Sequence, residues 1–552
     1  MTNGPARRVD PPSAAADPGL APEAPGPSAP PTTRGRTLAV AGLVVSGAFL
    51  GSRVLGWVRN LVVLNTFGAS AELDAFFAAF RLPDLIFQLV AAGALGSALI
   101  PVVAGLLATD SHQRAWRVVS TVANLMLLAL AVLAVALSLA APAIVPAITP
   151  GFDAIHTAQT VELTRIMLLG PVFLALGAVA TSVLNASGRF AAAAMAPIVY
   201  NLAIIGGAVL LGPSLGVQGL AIGVVVGSLG HLLVQLPGLR RLGFRYEPVA
   251  ALHDDQARQA LRLMAPRALG LGAGQITFVV VTSLATMLGT GAVTAFYAAF
   301  TLLQVPVGVI GVPLGVVVFP SLARVAAVGR EAEFVGLVTR GIRLLLYVMV
   351  PIAGLLAILR RQVVTVLFPG LGSVYIELTA NALLYFLGGL AAHALIAVLA
   401  RAFYARQDTR TPVAAAILAV AVNTVLAALL VGPLGLAGIA TAIAVAAWLE
   451  AVVLVVLLTR RLPSLGLGDI VRVGLEAALA TVVASALGLV ALYAIDGLIG
   501  PHPGPIALVV QSFLVAIAFG AVYVGLSLAL RIPELPSMIS VMTDLLRRRG
   551  RS

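Results

Sequence analysis

The chain contains no cysteine and no lysine. Without thiols, disulfides, thiolate nucleophiles and cysteine metal sites are excluded. All 34 basic residues are Arg, a compositional bias to which no function attaches. Charge of either sign is scarce: 10% of the 552 residues are charged, against about 25% in soluble domains. The six His residues are scattered, none at metal-ligand spacing, and no nucleophile–base arrangement can be named. These absences argue against an enzyme, a bound metal and a cofactor. What is present is 60% hydrophobic sequence, much of it in apolar runs of about 20 residues or more. The fold class is therefore an all-α polytopic membrane protein.

About fourteen spans are expected, near 37–64, 74–107, 118–140, 160–186, 192–212, 215–236, 262–288, 292–318, 335–359, 376–400, 411–432, 435–458, 470–495 and 505–530. Gly212-Pro213-Ser214, Gly289-Thr290-Gly291 and Gly432-Pro433-Leu434-Gly435 read as tight turns between antiparallel helices. The net charge of +12 does not point to nucleic acid, because most of the Arg residues sit in alternate loops. Arg114, Arg117, Arg189, Arg240, Arg241, Arg245, Arg258, Arg324, Arg330, Arg401, Arg406, Arg410, Arg460 and Arg461 fall on one side; the opposite loops hold Arg360 and Arg361. By the positive-inside rule both termini are cytoplasmic. Residues 1–36, rich in Pro, Ala and Gly and without an apolar run, read as a disordered tail, and 531–552 as a basic tail. The longest polar loop, Arg240 to Arg262, divides the chain. Two six-helix lobes, 37–236 and 262–458, are expected around a central cavity, joined by 237–261 and followed by two extra helices within 470–530.

The stretch from Ser52 to Pro101 carries the chemistry. Its two apolar segments flank a short hairpin, Phe67 to Leu73, and hold Arg53 and Arg59 in the first and Asp74, Arg81 and Asp84 in the second. A charge at membrane depth costs about 2.5–3.5 kcal/mol even on the lenient insertion scale, and such residues face a bundle interior or a wet cavity. Asp74, Arg81, Asp84 and Gln88 follow at steps of seven, three and four, which keeps them on one helical stripe. Two readings stand: a polar stripe turned toward an anionic or amphiphilic ligand, or an Asp74 that caps its helix with an Arg81 that pairs with it or snorkels.

Ser52-Arg53-Val54-Leu55-Gly56, Arg59, Phe67-Gly68, Asp74-Ala75-Phe76-Phe77, Phe80-Arg81-Leu82-Pro83 and Gly93-Ala94 resemble, in order and spacing, the MurJ/MviN family of lipid II flippases within the multidrug/oligosaccharidyl-lipid/polysaccharide exporter superfamily. Leu184-Asn185-Ala186-Ser187-Gly188-Arg189-Phe190 with Asn201, the Pro306–Pro320 run, and Arg401 to Pro412 extend the resemblance over nearly all of 37–530. The resemblance implies a bacterial plasma-membrane flippase that moves a polyprenyl-pyrophosphate-linked peptidoglycan precursor by alternating access, as a monomer among membrane lipids and cell-wall synthesis proteins. The alternatives are a flippase for another polyprenyl-linked saccharide, a drug exporter of the same superfamily, and a transport-dead scaffold.

On this reading Arg53, Arg59, Asp74, Arg81 and Arg267 are the substrate-binding residues. Guanidinium forks match phosphate oxygens. Asp74 is expected to pair with Arg59 or Arg81 when no substrate is bound, and the helices of 470–530 to form a groove for the lipid tail. Arg267 either supplies a cavity cation or snorkels to the inner surface. The chain departs from the family at Phe87 or Gln88, at Ala92, and at Thr301 and Gln304, where the family places charges, and it has no carboxylate for a sodium site in spans seven and eleven or in twelve as far as Ala447. Pro306–Pro320 reads as a gate hinge or as close packing, and the Arg401–Pro412 segment as a charged elbow or a substrate contact.

The charge alternation fixes a topology that the absence of native Cys makes easy to test. A single Cys at Ser70 is expected to react with an impermeant thiol reagent applied from outside, and one at Gln256 is not. The reverse pattern would overturn the topology.

Overall fold

The computed structural model describes residues 33–90, 94–109, 111–251, 253–500, 504–536 and 538; for 33–46, 48–50, 89–90, 94–97, 263–273 and 499 it describes the backbone alone. Ala92, the Arg267 side chain and most of both expected tails lie outside the described residues. The described chain is helical, in the order α1 (Thr33–Phe67), α2 (Ala71–Ala79), α3 (Arg81–Val90), α4 (Ala94–Ala108), α5 (His112–Ile148), α6 (Ala154–Met167), α7 (Leu169–Ala186), α8 (Phe190–Gly206), α9 (Gly212–Leu215), α10 (Val217–Leu233), α11 (Leu236–Arg241), α12 (Asp255–Thr286), α13 (Ala292–Pro306), α14 (Val312–Ala327), α15 (Glu331–Ile358), α16 (Arg360–Leu367), α17 (Ser373–Leu387), α18 (Leu390–Ala405), α19 (Arg410–Leu434), α20 (Leu436–Arg461), α21 (Leu467–Ile499) and α22 (Pro505–Ala529). By length and composition, ten spans among the described residues are apolar enough to cross a membrane, or eleven if the bent pair α17–α18 is one. That accounts for ten or eleven of the fourteen spans expected.

Several spans read as continuous are broken, each for a local reason. The second breaks at Phe80 because Pro83 has no N–H for the Ala79 carbonyl. The Thr164 hydroxyl, 3.5 Å away on α6, donates to that carbonyl. The fourth breaks at Leu168, three residues before Pro171. The tenth bends by 46° at Gly388-Gly389, where the Trp448 indole N–H donates to the Gly388 carbonyl at 2.7 Å. The seventh begins at Asp255 rather than near 262, because the Asp254 carboxylate accepts from the N–H groups of Gln256 and Ala257 and caps it. Between α13 and α14 the chain widens into a π-helical turn, Val307–Gly311, in which the Val312 N–H bonds back to the Val307 carbonyl. The next carbonyl in that register, Gly308, faces Pro313 and has no intrahelical donor.

The largest apolar core joins the two halves of the chain at the end that carries the Phe67–Leu73 hairpin: Leu64, Leu73, Phe76 and Phe77 pack with Phe296, Leu303 and Phe386. A second core gathers α3, α4, α5, α7 and the start of α12 around Trp116, Val119 and Leu184. A third seats α21 and α22 on α15 through Tyr347, Phe519 and Tyr523, whose hydroxyl donates to the Tyr347 carbonyl at 2.7 Å.

The Arg401–Pro412 elbow is a capped corner. The Asp408 carboxylate accepts from the Arg410 N–H (3.0 Å), from the Thr411 N–H (3.0 Å) and hydroxyl (2.6 Å), and from Arg461, whose guanidinium lies 5.4 Å from the Phe403 ring centroid. Partial burial alone would raise the Asp408 pKa; the Thr411 and Arg461 contacts outweigh it and hold it at about 2, below its ordinary 3.8. A depressed folded-state pKa contributes stability above the ordinary value and loses it only as pH falls through about 2. Asp408→Ala is therefore expected to lower the thermal midpoint in detergent by the same amount at pH 6 and pH 8, at a cost of about 1–3 kcal/mol. A loss that differs across this range would contradict the assignment.

Candidate substrate cavity

Asp74 begins the site by closing one end of it. The residue is fully buried. Its Oδ2 accepts from the Gly291 N–H at 2.6 Å, and its Oδ1 from the Thr294 N–H at 2.7 Å and hydroxyl at 2.6 Å. A carboxylate from α2 thus caps the first turn of α13, where orphan N–H groups and the helix dipole favour a negative charge. Gly291 is held at φ +79°, and a side chain there would also run into the Tyr375 ring. The expected pairing of Asp74 with Arg59 or Arg81 is not what the structure shows, because these donors already occupy both oxygens. The helix start of α2 is capped instead by Ser70, which accepts from the Leu73 N–H at 3.1 Å.

Four more contacts bind the two halves at this end. Asn65 donates to the Leu367 carbonyl (2.9 Å) and accepts from the Gly370 N–H (3.0 Å). The Gly151 N–H donates to the Thr286 hydroxyl (3.3 Å), and Phe77 stacks on Tyr297 with centroids 4.1 Å apart. Beneath this seal lie two adjoining hollows of about 140 and 270 Å³ that share Asn60, Arg81, Asp84 and Tyr297. The smaller also takes in Arg59, Phe76 and Phe80; the larger takes in Gln275, Phe278, Phe300, Thr301 and Gln304.

Arg59 and Arg81 meet here, as antiparallel neighbours should. At 1.5 Å per residue they lie about 12 and 15 Å below the hairpin end, close to mid-membrane. Arg59 donates to two amides: to Asn60 Oδ1 from Nε (3.2 Å) and Nη2 (2.9 Å), and to Asn201 Oδ1 from Nη1 (3.1 Å). Asn201 is oriented by its own bond to the Pro197 carbonyl at 2.9 Å. Arg81 is 8% exposed; its Nε donates to the Thr282 hydroxyl at 2.9 Å, and its guanidinium lies 5.5 Å from the Phe278 ring centroid. Asp84, one turn beyond Arg81, is the sole carboxylate among the described residues that line the hollows. The hydrogen-bond partners of the two guanidinium groups are neutral, and the one carboxylate, Asp84, offsets one of their two charges, so the lining keeps a net positive charge.

Arg53 lies deeper and apart from these hollows. Its Nη1 donates to the Gly308 carbonyl at 3.1 Å, the one that Pro313 leaves without a helical donor. Asp84 was visible on the polar stripe but not singled out; Asn60, Gln275, Phe278, Thr282 and Tyr297 sit in apolar or neutral context and carried no signal. Thr301 and Gln304, where charges are expected from the family, do line the cavity.

Comparisons with known proteins give the family and the fold. The family model described as "Lipid II flippase MurJ" matches residues 63–519. The chain belongs to the MurJ family. It is 33% identical over 429 residues to the "Lipid II flippase MurJ" of Burkholderia cenocepacia, covering 76% of this chain and 83% of that protein. It is 34% identical over 429 residues to the "Probable lipid II flippase MurJ" of Rhizobium tropici, covering 76% and 80%. The fold is similar to a structure of "Lipid II flippase MurJ, inward closed conformation", with a TM-score of 0.74 at 21% identity over 89% of this chain and 99% of that one. It is also similar to an inward-facing MATE-family multidrug transporter of the MOP superfamily, with a TM-score of 0.65 at 16% identity over 74% and 94%. Family membership and the apolar spans make this a multi-span protein of the bacterial inner membrane and a transporter rather than an enzyme in the usual sense.

Removing the Asp74 carboxylate strands three donors, at a cost of about 2–3 kcal/mol. Asp74→Ala is expected to lower the thermal midpoint in detergent, and Asp74→Asn, with one acceptor oxygen in place of two, to recover part of the loss. Midpoints equal to wild type in both variants would contradict the cross-helix cap.

Proposed function

We propose that this protein moves lipid II, the polyprenyl-pyrophosphate-linked peptidoglycan precursor, from the inner to the outer leaflet by alternating access. One observation carries the reading: in a chain of the MurJ family, Arg59 and Arg81 line a common mid-membrane cavity with neutral partners. Two guanidinium forks held this way suit a pyrophosphate, whose oxygens accept bidentate bonds. The neutral wall of Asn60, Gln275, Thr301 and Gln304 suits hydroxyl and amide groups of the saccharide-peptide head.

The hairpin faces outside and both termini face the cytoplasm, so the closed end is the outer gate. Sites for drug-sized ligands run to about 300–1,000 Å³. The hollows beneath the gate, about 140 and 270 Å³, take the pyrophosphate end of the head, and the halves separate to admit the rest. Asp74 acts as a gate latch beside the binding set, Arg53 as a brace to the π-helical turn, and Arg267 as a cation near the cytoplasmic entrance. The helices α21 and α22, seated on α15 and exposing apolar side chains such as Leu475, Leu479 and Val482, form the tail groove. The membrane potential, about 2.3 kcal/mol per charge per 100 mV, biases the return of the cationic empty cavity. The protein works as a monomer alongside cell-wall synthesis proteins.

The test is rescue of cells depleted of their own lipid II flippase. The wild-type gene is expected to restore growth. Arg81→Ala should reach the membrane at normal levels and fail, because a lost charge-assisted contact costs about 1.5–3 kcal/mol, a ten- to hundredfold weaker grip. Arg81→Lys should recover part of the function. Since Asp74 is committed to α13, the double variant Asp74→Ala/Arg81→Ala should remain inactive. Normal flipping by the double variant would reduce Arg81 to one half of an ion pair and overturn the clamp.

A further inference from the structure

We infer that Thr282 is a positioning residue for Arg81, anchoring its Nε so that its Nη donors are presented to the substrate pyrophosphate. The inference rests on the clamp reading above and assigns the element that aims the clamp.

A guanidinium carries five N–H donors in one plane. Free to rotate on its stem, it would lose side-chain entropy each time it closed on a ligand. Here one donor is fixed: Nε bonds to the Thr282 hydroxyl at 2.9 Å, and Thr282 is only 2% exposed. The plane is fixed as well. Phe278, one turn before Thr282 on the same face of α12, lies 5.5 Å from the guanidinium carbon. The Phe278 ring is in turn held edge-on by Phe300 at 5.3 Å, and Phe300 stacks on Phe296 at 5.9 Å and meets Phe386 at 5.7 Å. Arg81 lines both hollows, and no bond among the described residues occupies its Nη atoms. One hydroxyl and a braced ring therefore fix Nε and the plane of the guanidinium and leave the paired Nη donors for phosphate. Arg81 sits on α3 and its anchor on α12, so the same bond ties cavity geometry to the closeness of these two helices.

Lysine provides the control. An ammonium has no Nε–H and cannot use this anchor in the same way. The experiment is equilibrium binding of lipid II to purified protein in nanodiscs, as a double-mutant cycle. Thr282→Val, equal in volume and without the hydroxyl, is expected to weaken binding roughly tenfold, the scale of one hydrogen bond to a charged group, and Thr282→Ser to restore it. In the Arg81→Lys background, Thr282→Val is expected to add less than about twofold. A tenfold loss in both backgrounds, or no rescue by Ser, would show that Thr282 acts through packing and would overturn the inference. Wild-type affinity in Arg81→Lys and Arg81→Ala would instead overturn the clamp itself, whatever Thr282 does.

Discussion

A guanidinium held near mid-membrane is the constraint on which the rest of the structure depends. Placing Arg81 there costs at least a few kcal/mol. A bonded carboxylate would offset that cost, but it would also neutralise the field and leave a buried ion pair for any ligand to break. The protein uses a hydroxyl, a ring and side-chain amides instead. These satisfy individual donors and leave the charge in place. Asp84, one turn from Arg81, shares the hollows with it and makes no hydrogen bond to it among the described residues, while Asp74, one helical segment earlier, is spent on the α13 terminus. The same arrangement thus leaves the cavity cationic and binds the two halves together above it.

The second constraint is that backbone carbonyls freed inside an apolar layer need donors. Proline and glycine breaks bend the spans, and three of the carbonyls at such breaks take a side chain from a distant segment: Ala79 takes Thr164, Gly308 takes Arg53, and Gly388 takes Trp448. The bends have consequences for the site. The break at Phe80 separates Asp74 from Arg81 and lets the first serve the gate while the second serves the cavity. The Arg53 contact shows the converse case, a membrane cation whose position is explained by the backbone it satisfies.

Much of this was legible in the sequence. Hydropathy and the spacing of turns gave the all-helical class, and unfavourable charges in apolar runs pointed to Arg59 and Arg81, because few other roles make a buried Arg tolerable. The stripe of steps seven, three and four placed Asp74, Arg81 and Asp84 together on an ideal helix; Pro83 broke that helix, so periodicity overstated their common direction. The partner of Asp74 was not legible, since it lies 217 residues away and consists of backbone N–H groups that every sequence has. Thr282 and Phe278 were equally silent: a Thr and a Phe in an apolar run look like core, and only the approach of α12 to α3 gives them a role. Ten or eleven spans are found among the described residues where fourteen were expected; the other three, 37–64, 74–107 and 262–288, run partly through residues outside that description.

As described, the halves are sealed above the cavity, and the adjoining hollows beneath, about 140 and 270 Å³, lie at the small end of the range for drug-sized ligands. The most direct measurement is a structure of the protein with lipid II bound, read for the neighbours of the pyrophosphate. The result predicted is phosphate oxygens within about 2.7–2.9 Å of nitrogens of both Arg59 and Arg81, with Arg81 Nε still on Thr282. A pyrophosphate held elsewhere, with both guanidinium groups keeping only their present partners, would contradict it.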